Sequence, residues 1–191
     1  IGENKVAQVI SDTPKFGGVV EYCDKTHPAA AYLLNCQIYT VDVIIPVYNA
    51  VDDVKNCLRS VEVNTDYFRV NAIIVNDKSD ESTTVWLREF CAGKPFFTLV
   101  EHPENRGYTK AINTGLSHSQ ADYAVTLNSD TIVTKGWLQG LVRCMRSDKK
   151  LGIVGPLSNA ASWQNVPNLL DENKQFAVND IPLGMTPDEM A

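Results

Sequence analysis

The feature that most constrains this chain is a set of short apolar runs, each ending abruptly in polar residues. Val41-Asp42-Val43-Ile44-Ile45-Pro46-Val47 gives way to Tyr48-Asn49, Asn71-Ala72-Ile73-Ile74-Val75 to Asn76-Asp77, and Tyr123-Ala124-Val125-Thr126-Leu127 to Asn128-Ser129-Asp130. Short runs rich in β-branched residues and bounded by turn-forming ones read as buried strands. Pro46 has no N–H for a sheet ladder, so regular pairing of the first run is expected to end there.

Between the runs the period changes from two to that of a helix. Asn49 to Asp53 offers N-cap residues and early acids, and Val54, Leu58 and Val61 then fall on one helical face. A second helix is expected over residues 82–90 and a further strand over 96–100, after Pro95. A third helix is expected over 108–117, with Tyr108, Ala111, Ile112 and Leu116 on one side. Residues 137–146 form an amphipathic pattern carried by Leu138, Leu141, Val142 and Met145, and residues 151–154 read as a last short strand before Gly155-Pro156. Alternation of strand and helix predicts an α/β class with a mostly parallel sheet, flanked by helices on both faces. Residues 1–40 show no clear period, apart from a possible short helix over 29–34. They read as an N-terminal extension to a domain over 41–157, with an irregular tail over 158–191.

Composition removes several function classes. A net charge of −6 argues against a protein that grips duplex nucleic acid, which needs a basic face. No apolar run is long enough to span a bilayer, and the first residues lack the layout of a signal peptide. The five cysteines form no CxxC pair and read as reduced, mostly buried thiols of a cytosolic protein. The chain lacks a Gly-x-x-x-x-Gly-Lys-Ser/Thr loop, a GxGxxG turn after the first strand and a G-x-S-x-G elbow. His27, His102 and His118 have no metal-ligand spacing.

If the three apolar runs are parallel strands, their polar ends share one edge of the sheet, where open α/β folds bind ligands. Tyr48 offers a ring for base stacking. Asp77 offers an acceptor for a nucleobase N–H or a ribose hydroxyl. Asp130 offers an oxygen ligand to a hard divalent cation, which neutralises a diphosphate leaving group. Each has a plainer alternative: loop packing for Tyr48, a helix cap or Asx-turn for Asp77, a turn before the next helix for Asp130, and a solvated helix residue for Lys110. Their joint occurrence at successive strand ends favours the functional reading.

Val43-Ile44-Ile45-Pro46-Val47-Tyr48-Asn49, Ile74-Val75-Asn76-Asp77-Lys78-Ser79-Asp80, Asn105-Arg106-Gly107-Tyr108 with Asn113-Thr114-Gly115-Leu116, and Leu127-Asn128-Ser129-Asp130-Thr131 together resemble the family 2 glycosyltransferases of the GT-A fold. The resemblance covers about Val41 to Pro156. It implies a Rossmann-like nucleotide-sugar-binding fold, a UDP- or dTDP-sugar donor, Mg or Mn as divalent metal, and transfer with inversion to a sugar, lipid-linked or protein acceptor in polysaccharide or glycoconjugate biosynthesis. By position it assigns Pro46, Tyr48, Asn49, Asp77, Lys110, Asn128 and Ser129 to the nucleotide and Asp130 to the metal. It also implies a cytoplasmic location, at the inner face of the membrane through regions outside this chain.

Two departures from the family pattern stand out. Lys78 replaces a glycine, which makes any left-handed turn there costly. Asn128 replaces the first acid of the Asp-x-Asp motif, and a neutral amide is the weaker cation ligand. An inverting transfer also needs a base for the acceptor hydroxyl, and no acid after Pro156 matches one. The base is therefore expected beyond Ala191. The alternative is a non-catalytic nucleotide-sugar-binding or scaffold module of the same fold.

Overall fold

The computed structural model of the chain describes residues 39–65, 70–158, 164 and 168–179. The expected extension over 1–40, apart from Tyr39 and Thr40, and the short helix over 29–34 lie outside the described residues.

Four strands, β1 (Val41–Val47), β2 (Val70–Asn76), β3 (Phe97–Glu101) and β4 (Tyr123–Thr126), form a parallel sheet in the order β3-β2-β1-β4. Four helices alternate with them: α1 (Val51–Asn64), α2 (Glu81–Cys91), α3 (Tyr108–His118) and α4 (Trp137–Met145). The α/β class and the parallel sheet are those expected from the sequence.

All of β1 is buried, and its alternation supplies two cores at once. Val43, Ile45 and Val47, with Ala72 and Ile74 of β2, pack on Val54, Leu58 and Val61 of α1 and Leu87 of α2. Ile73 and Val75 pack on Ala111 of α3. On β1, Ile44 meets Gly115 of α3 so closely that a Cβ on that glycine would overlap Ile44 Cγ2. Each fully buried aliphatic side chain contributes roughly 1.5–3 kcal/mol, so a one-residue slip of β1 would exchange both cores at prohibitive cost.

Pro46 acts on one side of β1 only. On the β2 side pairing continues through Pro46↔Val75 to Val47↔Asn76, and the Asp77 amide donates to the Val47 carbonyl (2.8 Å). On the β4 side the last pair is Ile44↔Thr126, followed by Leu127 N–H to the Ile44 carbonyl (2.9 Å). The next rung on that side would need an N–H from Pro46, which has none. The chain after Leu127 is thereby released from the sheet.

Three local expectations are corrected. Residues 151–154 form no strand: Ile153 is 90 % exposed, and no described segment pairs with it. Strand β4 is not buried on both faces. It is the outer strand of the described sheet, and Ala124 and Thr126 are exposed. Helix α1 has no side-chain cap. It starts from Ala50 at φ 54°, because the Asn49 side chain is used elsewhere.

Candidate functional site

The carboxyl ends of β1, β2 and β4 open into one cleft of about 570 Å³, a size suited to a small-molecule ligand. Pro46, Tyr48, Asp77, Asn128, Ser129 and Asp130 all line it. Asn49 and Lys110 do not. Lys110 is exposed on α3, whereas Asn49 joins two loops: its amide donates to Ser79 Oγ (2.9 Å) and its Oδ1 accepts from Asp80 N (2.8 Å).

The β2 end is a tight turn built by its own side chains. Asn76 Oδ1 accepts from Ser79 N (3.0 Å), and its Nδ2 donates to Thr84 Oγ1 (3.1 Å). Asp80 caps α2 by accepting from Thr83 N (2.8 Å), so helix capping falls to Asp80 and not to Asp77. Lys78 sits between them at φ 61°, in the left-handed region.

Asp77 is buried and faces the opposite way, toward the loop that follows β3. Its Oδ1 accepts from Arg106 N (2.9 Å) and lies 2.7 Å from His102 Nδ1, and its Oδ2 accepts from Gly107 N (2.7 Å). An ionised carboxylate only accepts, so His102 carries its ring proton on Nδ1. The other ring nitrogen, Nε2, lies 2.9 Å from Thr114 Oγ1 of α3. Burial alone would raise the Asp77 pKa. The His102 ring and the two amides outweigh it and hold the carboxyl below its ordinary value. Of the roughly four lone-pair sites of a carboxylate, three are occupied, leaving one on Oδ2.

The third wall is the released segment after β4, and α1 holds it. Cys57, Ser60 and Asn64 recur at i, i+3 and i+7 on that helix. The Cys57 thiol donates to the Asn128 carbonyl (3.5 Å), Ser60 Oγ accepts from Val133 N (3.0 Å), and Asn64 Nδ2 donates to the Val133 carbonyl (3.0 Å). Trp137 Nε1 completes the contact on Thr65 Oγ1 (3.2 Å). Burial pushes the Cys57 thiol up to about 12, with the nearby Asp130 charge acting in the same direction, so it is a hydrogen-bonding thiol and not a nucleophile.

Four residues of this site were given no site role from the sequence, although Asn105 and Tyr108 belong to the motifs that carry the family resemblance. Asp53 and Asn105 line the cleft, and His102 holds Asp77 from behind. Tyr108, read as part of an apolar helix face, is 58 % exposed, lines the cleft and donates its hydroxyl proton to Asn128 Oδ1 (2.9 Å). Its position directly after the Asn105-Arg106-Gly107 loop is the signal that could have marked it.

The family model described as glycosyl transferase family 2 matches residues 42–171. The chain belongs to glycosyl transferase family 2. Relatives within reach of sequence comparison include the poly-β-1,6-N-acetyl-D-glucosamine synthase of Staphylococcus aureus, 29% identical over 114 residues, which are 60% of this chain and 27% of that protein. Glycosyltransferase GlyA of Streptococcus pneumoniae is 29% identical over 103 residues, 54% of this chain and 14% of that protein. The matched part thus spans about a quarter or less of the length of these relatives. Among solved structures, the mannosyltransferase PcManGT of Pyrobaculum calidifontis, in complex with GDP-Man and Mn2+, superposes with a TM-score of 0.53 at 25% identity, covering 57% of this chain and 33% of that one. S. aureus TarS 1–349 shares the fold, with a TM-score of 0.50 at 20% identity over 56% of this chain and 32% of that one. The family 2 assignment and the GT-A fold agree with the sequence reading.

In this family 2 domain Asn128, Ser129 and Asp130 line the cleft together, and Asp130 is exposed at its wall. Among the described residues no group of three His, Cys, Asp or Glu side chains is placed to hold a metal. That donor set does not suit an all-protein cage. It does fit a hard cation that arrives with a diphosphate, because Mg2+ and similar ions are commonly held by one or two carboxylates plus substrate phosphates. Among the described residues no helix is long and apolar enough to cross a membrane.

Proposed function

We propose that the cleft binds the nucleoside diphosphate of a nucleotide-sugar and that the chain is the donor-binding part of an inverting sugar transferase of polysaccharide or glycoconjugate synthesis. The observation that carries this reading is the convergence of Tyr48, Asp77 and Asn128-Ser129-Asp130, from three parallel strand ends, on one cleft. Tyr48, 56 % exposed, presents its ring to the base, and the remaining acceptor site of Asp77 takes a base N–H or a ribose hydroxyl. Asp130 holds the divalent metal, Mg or Mn, which neutralises the diphosphate as it leaves. The PcManGT complex with GDP-Man and Mn2+ supports both the ligand class and the metal. The acceptor (sugar, lipid-linked or protein) and the base that takes its proton belong to the acceptor side of the reaction.

Calorimetric titration with UDP, dTDP and GDP, with and without Mn2+, tests the reading. One of the three binds, more tightly with Mn2+, and Asp130→Ala removes the gain from the metal. Absence of binding by all three at millimolar concentration overturns it.

A further inference from the structure

Asn128 raises a question that its family position does not answer: what a neutral amide does where the family pattern has an acid. Its carbonyl oxygen, the only atom of the side chain able to ligate a metal, accepts the Tyr108 hydroxyl proton at 2.9 Å. Its amide nitrogen has no partner among the described residues, and the side chain is exposed on the cleft wall. Two further contacts hold the pair in place. The Asn128 backbone is held by the Cys57 thiol (3.5 Å), and Gly107, directly before Tyr108, donates its amide to buried Asp77 (2.7 Å). The backbone at each end of the Tyr108–Asn128 bond is therefore held by a further hydrogen bond.

We infer that Tyr108 holds the Asn128 carbonyl oxygen and leaves its amide N–H groups available, so that this position donates to an acceptor oxygen of the bound donor, on the diphosphate or the sugar, while Asp130 takes the cation. Tyr108 is thus a positioning residue for ligand recognition, and Asn128 is a specificity residue of opposite polarity to the acid it replaces. A carboxylate at 128 would still accept from Tyr108 but would offer a ligand oxygen no N–H and would repel a phosphate. The inference rests on the donor-site reading and deepens it.

The test is calorimetry on wild type and variants with UDP, dTDP and GDP and with UDP-glucose, dTDP-glucose and GDP-mannose, each with and without Mn2+. Asn128→Asp weakens metal-free binding at least about tenfold and enlarges the gain from Mn2+. Tyr108→Phe weakens metal-free binding a few-fold, as loss of one orienting hydrogen bond should, and does not diminish the gain from Mn2+, since the Asn128 carbonyl oxygen is then free to meet the cation. In an Asn128→Ala background Tyr108→Phe has no further effect. An effect seen with the nucleoside diphosphates themselves places the accepting oxygen on the diphosphate, and one confined to the sugar-linked ligands places it on the sugar. Both side chains are exposed, and circular dichroism checks that the variants remain folded. If wild type binds none of the ligands, the donor-site reading falls and the inference with it. If wild type binds and Asn128→Asp or Tyr108→Phe binds equally well, or if the two effects add, only the inference falls.

Discussion

His102 and Asp77 form a buried pair, with Nδ1 of the ring 2.7 Å from Oδ1 of the carboxylate. The same carboxylate gathers the amides of Arg106 and Gly107, while the far side of the ring reaches Thr114 of α3. One acid therefore ties the end of β2 to the loop after β3 and to the helix that carries Tyr108. Protonating that carboxylate would weaken the hydrogen bonds that hold these elements together.

Asp77→Asn should cost about 3 kcal/mol, since the amide cannot accept from all three donors and turns an N–H toward at least one of them. The sign with pH follows from the lowered folded-state pKa. In the wild type the stabilisation is present above the ordinary carboxyl value of 3.8 and is lost as pH falls through the lower folded value. Urea unfolding followed from neutral pH to below that value should show this loss in the wild type and a flatter profile in Asp77→Asn. Equal profiles for the two proteins would sink the assignment.

Ser60→Ala should loosen the segment that carries Asp130. The Val133 amide loses its acceptor at 3.0 Å, at a cost of about 1–2 kcal/mol. Amide hydrogen exchange should quicken across residues 128–137 more than in the β1–β2 core. Uniform acceleration over the whole domain would instead mean that the clamp is not local.

Gly115→Ala should destabilise, although alanine is the better helix former by roughly 0.8–1 kcal/mol. The new Cβ would overlap Ile44 Cγ2, and Ile44 is a β-branched residue fully buried in β1, so the strain of overpacking should win by about 1–3 kcal/mol. Denaturant unfolding decides it: a variant more stable than wild type would show that α3 can shift away from the sheet.

Lys78→Gly should stabilise. Lys78 adopts φ 61°, where a side chain costs roughly 1–2 kcal/mol that glycine avoids, less the greater freedom glycine has in the unfolded chain. A rise of about 0.5–1 kcal/mol is expected, with unchanged nucleotide affinity, since Lys78 is not on the cleft wall. A lower melting temperature would mean that the lysine side chain makes a contact worth more than the strain.

Much of the fold was legible because its signals are local. The β-branched runs became β1, β2 and β4, and the apolar face of α1 lies where its period placed it, whereas of the face expected on α4 only Leu138 is buried. Residues 151–154 carry an equally apolar pattern and still form no strand, because a strand also needs a neighbour and none of the described residues supplies one. The site was legible in part for a similar reason. Pro46, Tyr48, Asp77 and Asn128 to Asp130 stand directly at strand ends, so recognising the strands located them. Asn49 stands at a strand end as well, but its side chain is spent on Asp80 and its backbone amide on Ser79, and nothing in its immediate neighbours announces that.

By itself, then, the sequence determined the alternation of elements, the parallel sheet and the edge at which a ligand would bind, since these follow from side-chain period and from the missing N–H of Pro46. Only the tertiary structure decided which polar groups remain available at that edge. Asp77 stands 25 residues from His102, and Tyr108 20 from Asn128, separations at which chain order carries no information about contact. Whether a carboxylate or an amide faces a ligand or faces the protein depends on hydrogen bonds between loops that come together only when the strands have paired.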